Sequence, residues 1–280
     1  MASVNGSGGA SVEPVNTTYP SSSAPRTYSI SGFRVSTQKL PILKAGPIEA
    51  MTEKLGIAPP EMIFGDNYVS IEHEASKSKW GIVFNAFGAL DLVDKTGEKR
   101  LKVSYSKEWH ASREGEHDIT EVIKPFDWSY TTDYAGELAP GSKEWEPAAA
   151  DQQIPVELLR RPDPILFFDD VMLYEDELAD NGIAMLSVKI RVMPKRLLLL
   201  QRFFMRLDNV VLRLRDTRVY IDFDEKEVLR EYLEKEDEYD KVKRRLAGRE
   251  DVSSVMRDPN QIAAILPEVK RVMERVDLKT

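Results

Sequence analysis

Leu186-Ser187-Val188-Lys189-Ile190-Arg191-Val192 alternates apolar and polar residues without a break, so Val188, Ile190 and Val192 share one face of an extended strand. Residues 165–223 around it carry the densest strand signal of the chain. Asp208-Asn209 divides Leu197–Leu207 from Val210–Phe223, and both residue types tolerate turn geometry, which predicts a hairpin. Beyond Asp224 the period lengthens. Val228, Leu229, Tyr232, Leu233, Tyr239, Val242 and Leu246 recur at three-to-four spacing, with Glu231–Lys235, Asp237–Lys241 and Asp240–Arg244 one turn apart. This predicts a helix started by Asp222 or Asp224 and ended by Gly248, then a short last helix from Pro259-Asn260 through Ile262, Ile265 and Leu266.

Working toward the N-terminus, residues 136–162 hold four prolines, two glycines and Ala148-Ala149-Ala150, the composition of a long surface loop or insertion. Leu101–Tyr105, Trp80 through Phe87, Tyr68–Ile71 and the Phe33, Val35, Thr37 alternation read as strands, and a short helix begins near Pro47 and stops at Gly56–Pro60. Residues 1–26 are rich in Ser, Gly, Pro, Asn and Thr, with Glu13 and Arg26 their only charges. They bury too little apolar area to offset ordering, so a disordered tail is expected there. The expected fold is a single α+β domain over 27–280, sheet-rich with mainly antiparallel strands, flanking helices and C-terminal helices over 224–280.

The whole chain of 280 residues is 42% hydrophobic and 31% charged, with a net charge of -8 and no cysteine. Disulfides, thiolate metal sites and cysteine nucleophiles are thereby excluded, and a reducing compartment fits. No apolar run approaches the roughly 18 residues of a membrane span, and no basic-then-apolar leader opens the chain. A cytoplasmic protein, with the nucleus also open to it, and no membrane or nucleic-acid partner, is the expectation.

Catalytic signals are sparse. His110 and His117 stand two helical turns apart with Glu114 and Glu116 between them, but a metal-dependent hydrolase needs a third ligand that the sequence does not identify. An EF-hand aligned on Gly182 would place Ala179 and Val188 at ligand positions, and neither carries a side-chain oxygen. No phosphate loop, nucleophile elbow, HExxH or dinucleotide fingerprint is present. The chain is expected to be no enzyme and to hold neither metal nor cofactor.

Interaction signals are stronger. One face of Val210–Phe223 reads Val210, Leu212, Leu214, Asp216, Arg218, Tyr220, an apolar stripe that runs into an acid and a guanidinium. Two readings are open: a satisfied Asp216–Arg218 pair at the sheet margin, or a polar lip on an apolar cleft. Residues 163–188 carry seven acids and no base, whereas 189–218 carry nine bases against Asp208 and Asp216. Such strands either neutralise one another across the ladder or leave a basic groove for an acidic or phosphorylated partner, with nucleic acid the remaining alternative. Gly65-Asp66-Asn67 is turn chemistry between Met62-Ile63-Phe64 and Tyr68-Val69, expected inside a strand pair, and it offers an acid at a rigid turn. Pro125 to Tyr134 packs four aromatics into ten residues, which suits a core or a peptide-binding wall.

Six blocks in this order resemble one family. They are Glu61-Met62-Ile63-Phe64-Gly65-Asp66-Asn67, Gly81-Ile82-Val83-Phe84-Asn85-Ala86, the run from Glu121 through Asp127-Trp128-Ser129-Tyr130 to Tyr134, Tyr174-Glu175-Asp176-Glu177-Leu178, Leu186 through Pro194, and Arg215-Asp216-Thr217-Arg218-Val219-Tyr220. Over roughly 28–235 the chain is similar to the TIP-forty-one-like (TIPRL) regulators of type 2A phosphatases in TOR signalling. That resemblance implies one sheet-rich α+β domain with a cleft for an extended peptide. It implies binding to type 2A, 4 and 6 catalytic subunits including their C-terminal tail, inhibition of phosphatase activity, an effect on subunit assembly, and a Tap-type phosphatase-associated partner. It also implies phosphatase binding by Asp66, Leu214 and Asp216, with Leu214 standing where the animal pattern has Met and Arg215 where it has Asn. Asn67, Tyr130, Asp133, Lys189, Arg191 and Arg218 are read as further lining of the cleft.

Overall fold

The computed structural model describes residues 24–73, 79–96, 126–249 and 251–279. The strand expected at Leu101–Tyr105, the pair His110 and His117, and residues 1–23 of the expected tail lie outside them. In chain order come β1 (Arg26–Ile30), β2 (Phe33–Gln38), α1 (Ala45–Leu55), β3 (Met62–Ile63), β4 (Tyr68–His73), β5 (Trp80–Asn85) and α2 (Ala86–Asp91). Residues 136–162 are irregular apart from β6 (Glu137–Leu138), β7 (Glu146–Pro147) and α3 (Val156–Leu159). The long strands follow: β8 (Phe167–Asp176), β9 (Gly182–Val192), β10 (Arg196–Leu207), β11 (Val211–Asp222) and β12 (Glu227–Glu238). Three short helices, α4 (Tyr239–Arg245), α5 (Val252–Val255) and α6 (Pro259–Ile265), precede the last strand β13 (Glu268–Asp277).

Two antiparallel sheets result, one ordered β1-β2-β4-β5-β6 and one ordered β3-β8-β9-β10-β11-β12-β13-β7. Their facing sides share one apolar core. Phe33, Val35, Ile71 and Phe84 from the small sheet meet Val188, Ile190, Leu199, Phe203 and Val219 from the large one, all at 1% exposure or less. Each such burial contributes roughly 1.5–3 kcal/mol. The far side of the large sheet is covered twice. Phe204, Leu212 and Leu214 lie under Val242, Leu246 and Ile262 of the C-terminal helices. Tyr220, Leu229 and the half-buried Leu198 lie under Ile154 and Leu159. The fold is α+β and sheet-rich, as the alternation predicts.

Several sequence expectations hold locally. Asn209 turns the β10–β11 hairpin at φ 62°, and Gly56 ends α1 at φ 73°, its N–H donating to Thr52 O. Asp258 caps the expected last helix through Asn260 N.

Others need correction. The helix expected from Asp224 to Gly248 is, over Glu227–Glu238, a strand, and only Tyr239–Arg245 is helical. The period misled because β12 is buried on both faces: Val228 points into the main core while Leu229 points into the outer cluster. Apolar residues on both sides then fill adjacent positions and mimic helical spacing. Residues 268–277 are likewise a strand rather than helix. The Asp66 turn does not lie inside a strand pair. β3 pairs with β8 in the large sheet, and β4 pairs with β2 and β5 in the small one, so the turn carries the chain between sheets.

Two polar devices join the layers. Asp169 on β8 is 2% exposed and accepts from Arg26 Nη1 (2.9 Å), Thr37 Oγ1 (2.6 Å) and Lys39 Nζ (2.6 Å), all from the small sheet and the residue after it. Burial pushes its carboxyl up, but the bonds from Lys39 and Thr37 outweigh that and hold it below the usual range. The strap of residues 126–135 runs between the sheets. Asp127 there accepts from the N–H (3.0 Å) and hydroxyl (2.6 Å) of Ser129, and Tyr134 O accepts from Gln201 Nε2 (2.8 Å). Burial raises the Asp127 carboxyl above its ordinary value despite the two Ser129 bonds.

The two acids therefore have opposite pH signatures. Asp169→Ala should cost about 2–3 kcal/mol at neutral pH, because it strips charge-assisted bonds from a buried site. That contribution is lost as pH falls below about 4 through the depressed folded value, so urea titrations of the wild type and the variant should converge in acid. Asp127→Asn keeps the oxygen that Ser129 needs and removes a charge the burial disfavours. It should raise the melting temperature at pH 7, and the gain should vanish once pH drops below the ordinary carboxyl value, where both wild-type states are protonated.

Candidate partner-binding site

Asp66 sits on a turn whose backbone is held at both ends. Phe64 N–H donates to Leu173 O (3.0 Å), Asn67 N–H donates to Phe64 O (3.0 Å), and Leu43 N–H donates to Ile63 O (2.9 Å). Asn67, 3% exposed, clamps the turn from within: its Oδ1 accepts from Leu40 N (2.6 Å) and its Nδ2 donates to Met172 O (2.8 Å). Gly65 is required by close approach, since a Cβ would come within 2.5 Å of Leu43 and 2.8 Å of Met51. Asp66 itself is exposed, and its carboxylate makes no hydrogen bond or ion pair among the described residues. The turn thus presents an unpaired acid at low conformational freedom.

Asp216 is the opposite case, with no exposed surface. On the outer face of the large sheet, Met172, Ser187, Arg202, Asp216, Leu233 and Arg271 form one row across β8 to β13. Arg202 grips Asp216 with both Nε and Nη2 (2.7 Å each), and Arg218 Nη2 adds a third bond (2.9 Å). Arg218 continues to Glu231, Arg271 also reaches Glu231 (3.1 Å), and Arg202 Nη1 donates to Asn260 Oδ1 on α6 (2.9 Å). The network ties four strands to the helical cap. Of the two open readings, the satisfied Asp216–Arg218 pair is present, and it lies within the sheet rather than at a margin.

The other expected residues divide between the faces. Lys189 and Arg191 share the outer face with Asp216 and Arg218. Lys189 pairs with Asp170 (3.0 Å), and Arg191 donates to Leu159 O (3.2 Å). Leu214 is wholly buried beneath α4 and α6, so it shapes the sheet from below and offers no surface. Tyr130 is not cleft lining but core: it is 3% exposed at φ 55°, with its hydroxyl donating toward Ala58 O (3.2 Å). Asp133 is exposed on the opposite side of the sheet, where it pairs with Arg215 (2.9 Å). The Asp66 turn hangs beside Met172 at the β8 edge, three strands and thus about 15 Å from Asp216.

The charge blocks neutralise one another in a different pattern from the one expected. Lys189 does meet Asp170 of β8, but Arg213, Arg215 and Arg218 of β11 meet Glu236, Glu234 and Glu231 of β12. Arg202, Glu231 and Arg271 were not singled out by the sequence. Reading 224–248 as helix put Glu231 one turn from Lys235, whereas the strand puts it opposite Arg218. Among the described residues no three His, Asp or Glu side chains gather as a metal ion would require. No described helix is long and apolar enough to cross a membrane.

A model of the TIP41-like family matches residues 62–243, a span that holds both the Asp66 turn and Asp216. The chain is 42% identical over 265 residues to the Type 2A phosphatase activator TIP41 of Saccharomyces cerevisiae, covering 88% of this chain and 73% of that one. It is 40% identical over 256 residues to the human TIP41-like protein, covering 91% and 90%. With the Type 2A phosphatase activator tip41 of Schizosaccharomyces pombe it shares 37% over 243 residues, covering 86% and 94%. The chain belongs to the TIP41-like family.

Proposed function

We propose that this chain is a non-catalytic regulator that binds the catalytic subunits of type 2A-family phosphatases and modulates their activity and assembly in TOR signalling. The observation that carries this reading is its likeness, over 86% or more of its length, to two yeast proteins named type 2A phosphatase activators. The reading extends to type 4 and 6 catalytic subunits, to their C-terminal tail, and to a Tap-type associated protein as a further partner, in the cytoplasm and nucleus. Activation follows where the chain frees a catalytic subunit from the Tap-type partner, and restraint where it holds the subunit itself.

The geometry supports binding rather than bond-making. Asp66 is a fixed acid without an internal partner, beside the apolar side chains of Leu43 and Met51 that close on Gly65. An interface anchor of this kind suits an arginine or lysine of the partner, because little freedom is lost on docking and the flanking apolar groups exclude water. Leu214 and Asp216 act from below the surface in this reading, by holding the strand and its guanidiniums in place.

Asp66→Lys should weaken binding to a purified type 2A catalytic subunit about tenfold or more by calorimetry, with the melting temperature unchanged because the side chain has no contact to lose. Full affinity in the variant would remove Asp66 from the interface. No binding of the intact chain to any of the three catalytic subunits would overturn the function.

A further inference from the structure

Charges on the outer face of the large sheet are layered by depth. Asp216 and Glu231 are 0% and 8% exposed at the side chain, whereas Arg218 above them is 30% exposed and Arg271 43%. The carboxylates are inside and the guanidiniums outside, so a network that is close to neutral in sum shows solvent its positive part. Lys189, 49% exposed, extends the series along the row Lys189, Leu200, Arg218.

Spacing adds a second constraint. Lys189, Arg218 and Arg271 stand on β9, β11 and β13, every second strand, and so roughly 10 Å apart. An extended chain of the polyproline type rises 3.1 Å per residue with three residues per turn, so side chains three apart share a face at about 9 Å. Leu200 and Met273, both half-buried, supply apolar surface between the cations. The helical cap with Asn260 and the 154–159 segment stand on either side of this band.

We propose that this band binds an acidic, extended peptide segment lying across the strands, held by Lys189, Arg218 and Arg271, with Asp216 and Glu231 as positioning residues beneath the guanidiniums. This rests on the reading that the chain binds a protein partner, and it adds the chemistry of the bound segment. Charge complementarity selects the occupant: the surface cations need carboxylates, and their period fits acids at every third residue. The basic helix α4 is a different kind of surface. Its Lys243 and Arg244 border an open hollow of about 420 Å³ with Asp240 and Ala247, and no buried acid orients them.

The test uses the full chain and a labelled, proline-rich ten-residue peptide with glutamate at every third position, followed by fluorescence polarisation. Binding is expected to wild type, to weaken about tenfold in Arg218→Ala/Arg271→Ala, and to persist in Lys243→Ala/Arg244→Ala. Asp216→Asn separates positioning from simple charge. It makes the band more positive, so charge alone predicts tighter binding, whereas positioning predicts weaker binding. A purely structural role would lower its melting temperature and leave peptide affinity alone. Equal binding of the glutamine counterpart, equal competition by a short oligonucleotide, or undiminished binding in Arg218→Ala/Arg271→Ala would each overturn the proposal. Tighter or unchanged binding in Asp216→Asn would overturn the positioning role. If the phosphatase binds and the peptide does not, this inference falls alone; if the peptide binds and the phosphatase does not, the proposed function falls alone.

Discussion

The register of β10 against β11, unbroken from Arg196–Asp222 to Leu207–Val211, is the constraint on which the rest depends. Both faces of this hairpin are covered, so a slip by one residue would exchange Phe203, Val219 and Ile221 with Arg202, Arg218 and Asp222. The correct register does three things together. It gives the small sheet an apolar floor, it places Phe204 beside Leu214 where the C-terminal helices dock, and it sets Arg202 directly opposite Asp216. Fold and outer surface are thus consequences of one alignment.

How legible each element was depended on how many of its faces were buried. β9 showed in the sequence because Lys189 and Arg191 reach solvent or a rim between buried Val188, Ile190 and Val192. β12 did not, because Leu229 and Val228 are both buried on opposite sides and the period of two disappears. β13 was missed for another reason. Its first five residues are exposed at the sheet edge and carry no apolar rhythm, and only pairing with β12 defines it. The Asp66 turn was legible because Gly, Asp and Asn announce a turn locally. The change of sheet at that turn was not, since it depends on β8, more than a hundred residues away. Arg202, Glu231 and Arg271 were hidden similarly: each gains its meaning from a partner on another strand.

The outer face also shows that charge was not the only way to cover it. Along the same strands, Phe204 and Leu214 bury themselves at one end, and Leu198 and Tyr220 do so at the other, under separate caps. Between them stand Arg202, Asp216 and Arg218. Burying a carboxylate among guanidiniums is at best a modest source of stability, and apolar replacements in such sites are often neutral or stabilising. A continuous apolar face would let the two caps close over the middle of the sheet. The charged rows instead stay half-exposed and keep the caps apart. Because the acids are deeper than the bases, the gap has a polarity of its own on a chain whose net charge is -8. That polarity follows from depth rather than composition, which is why counting charges along the sequence left the neutral and the basic readings of these strands equally open.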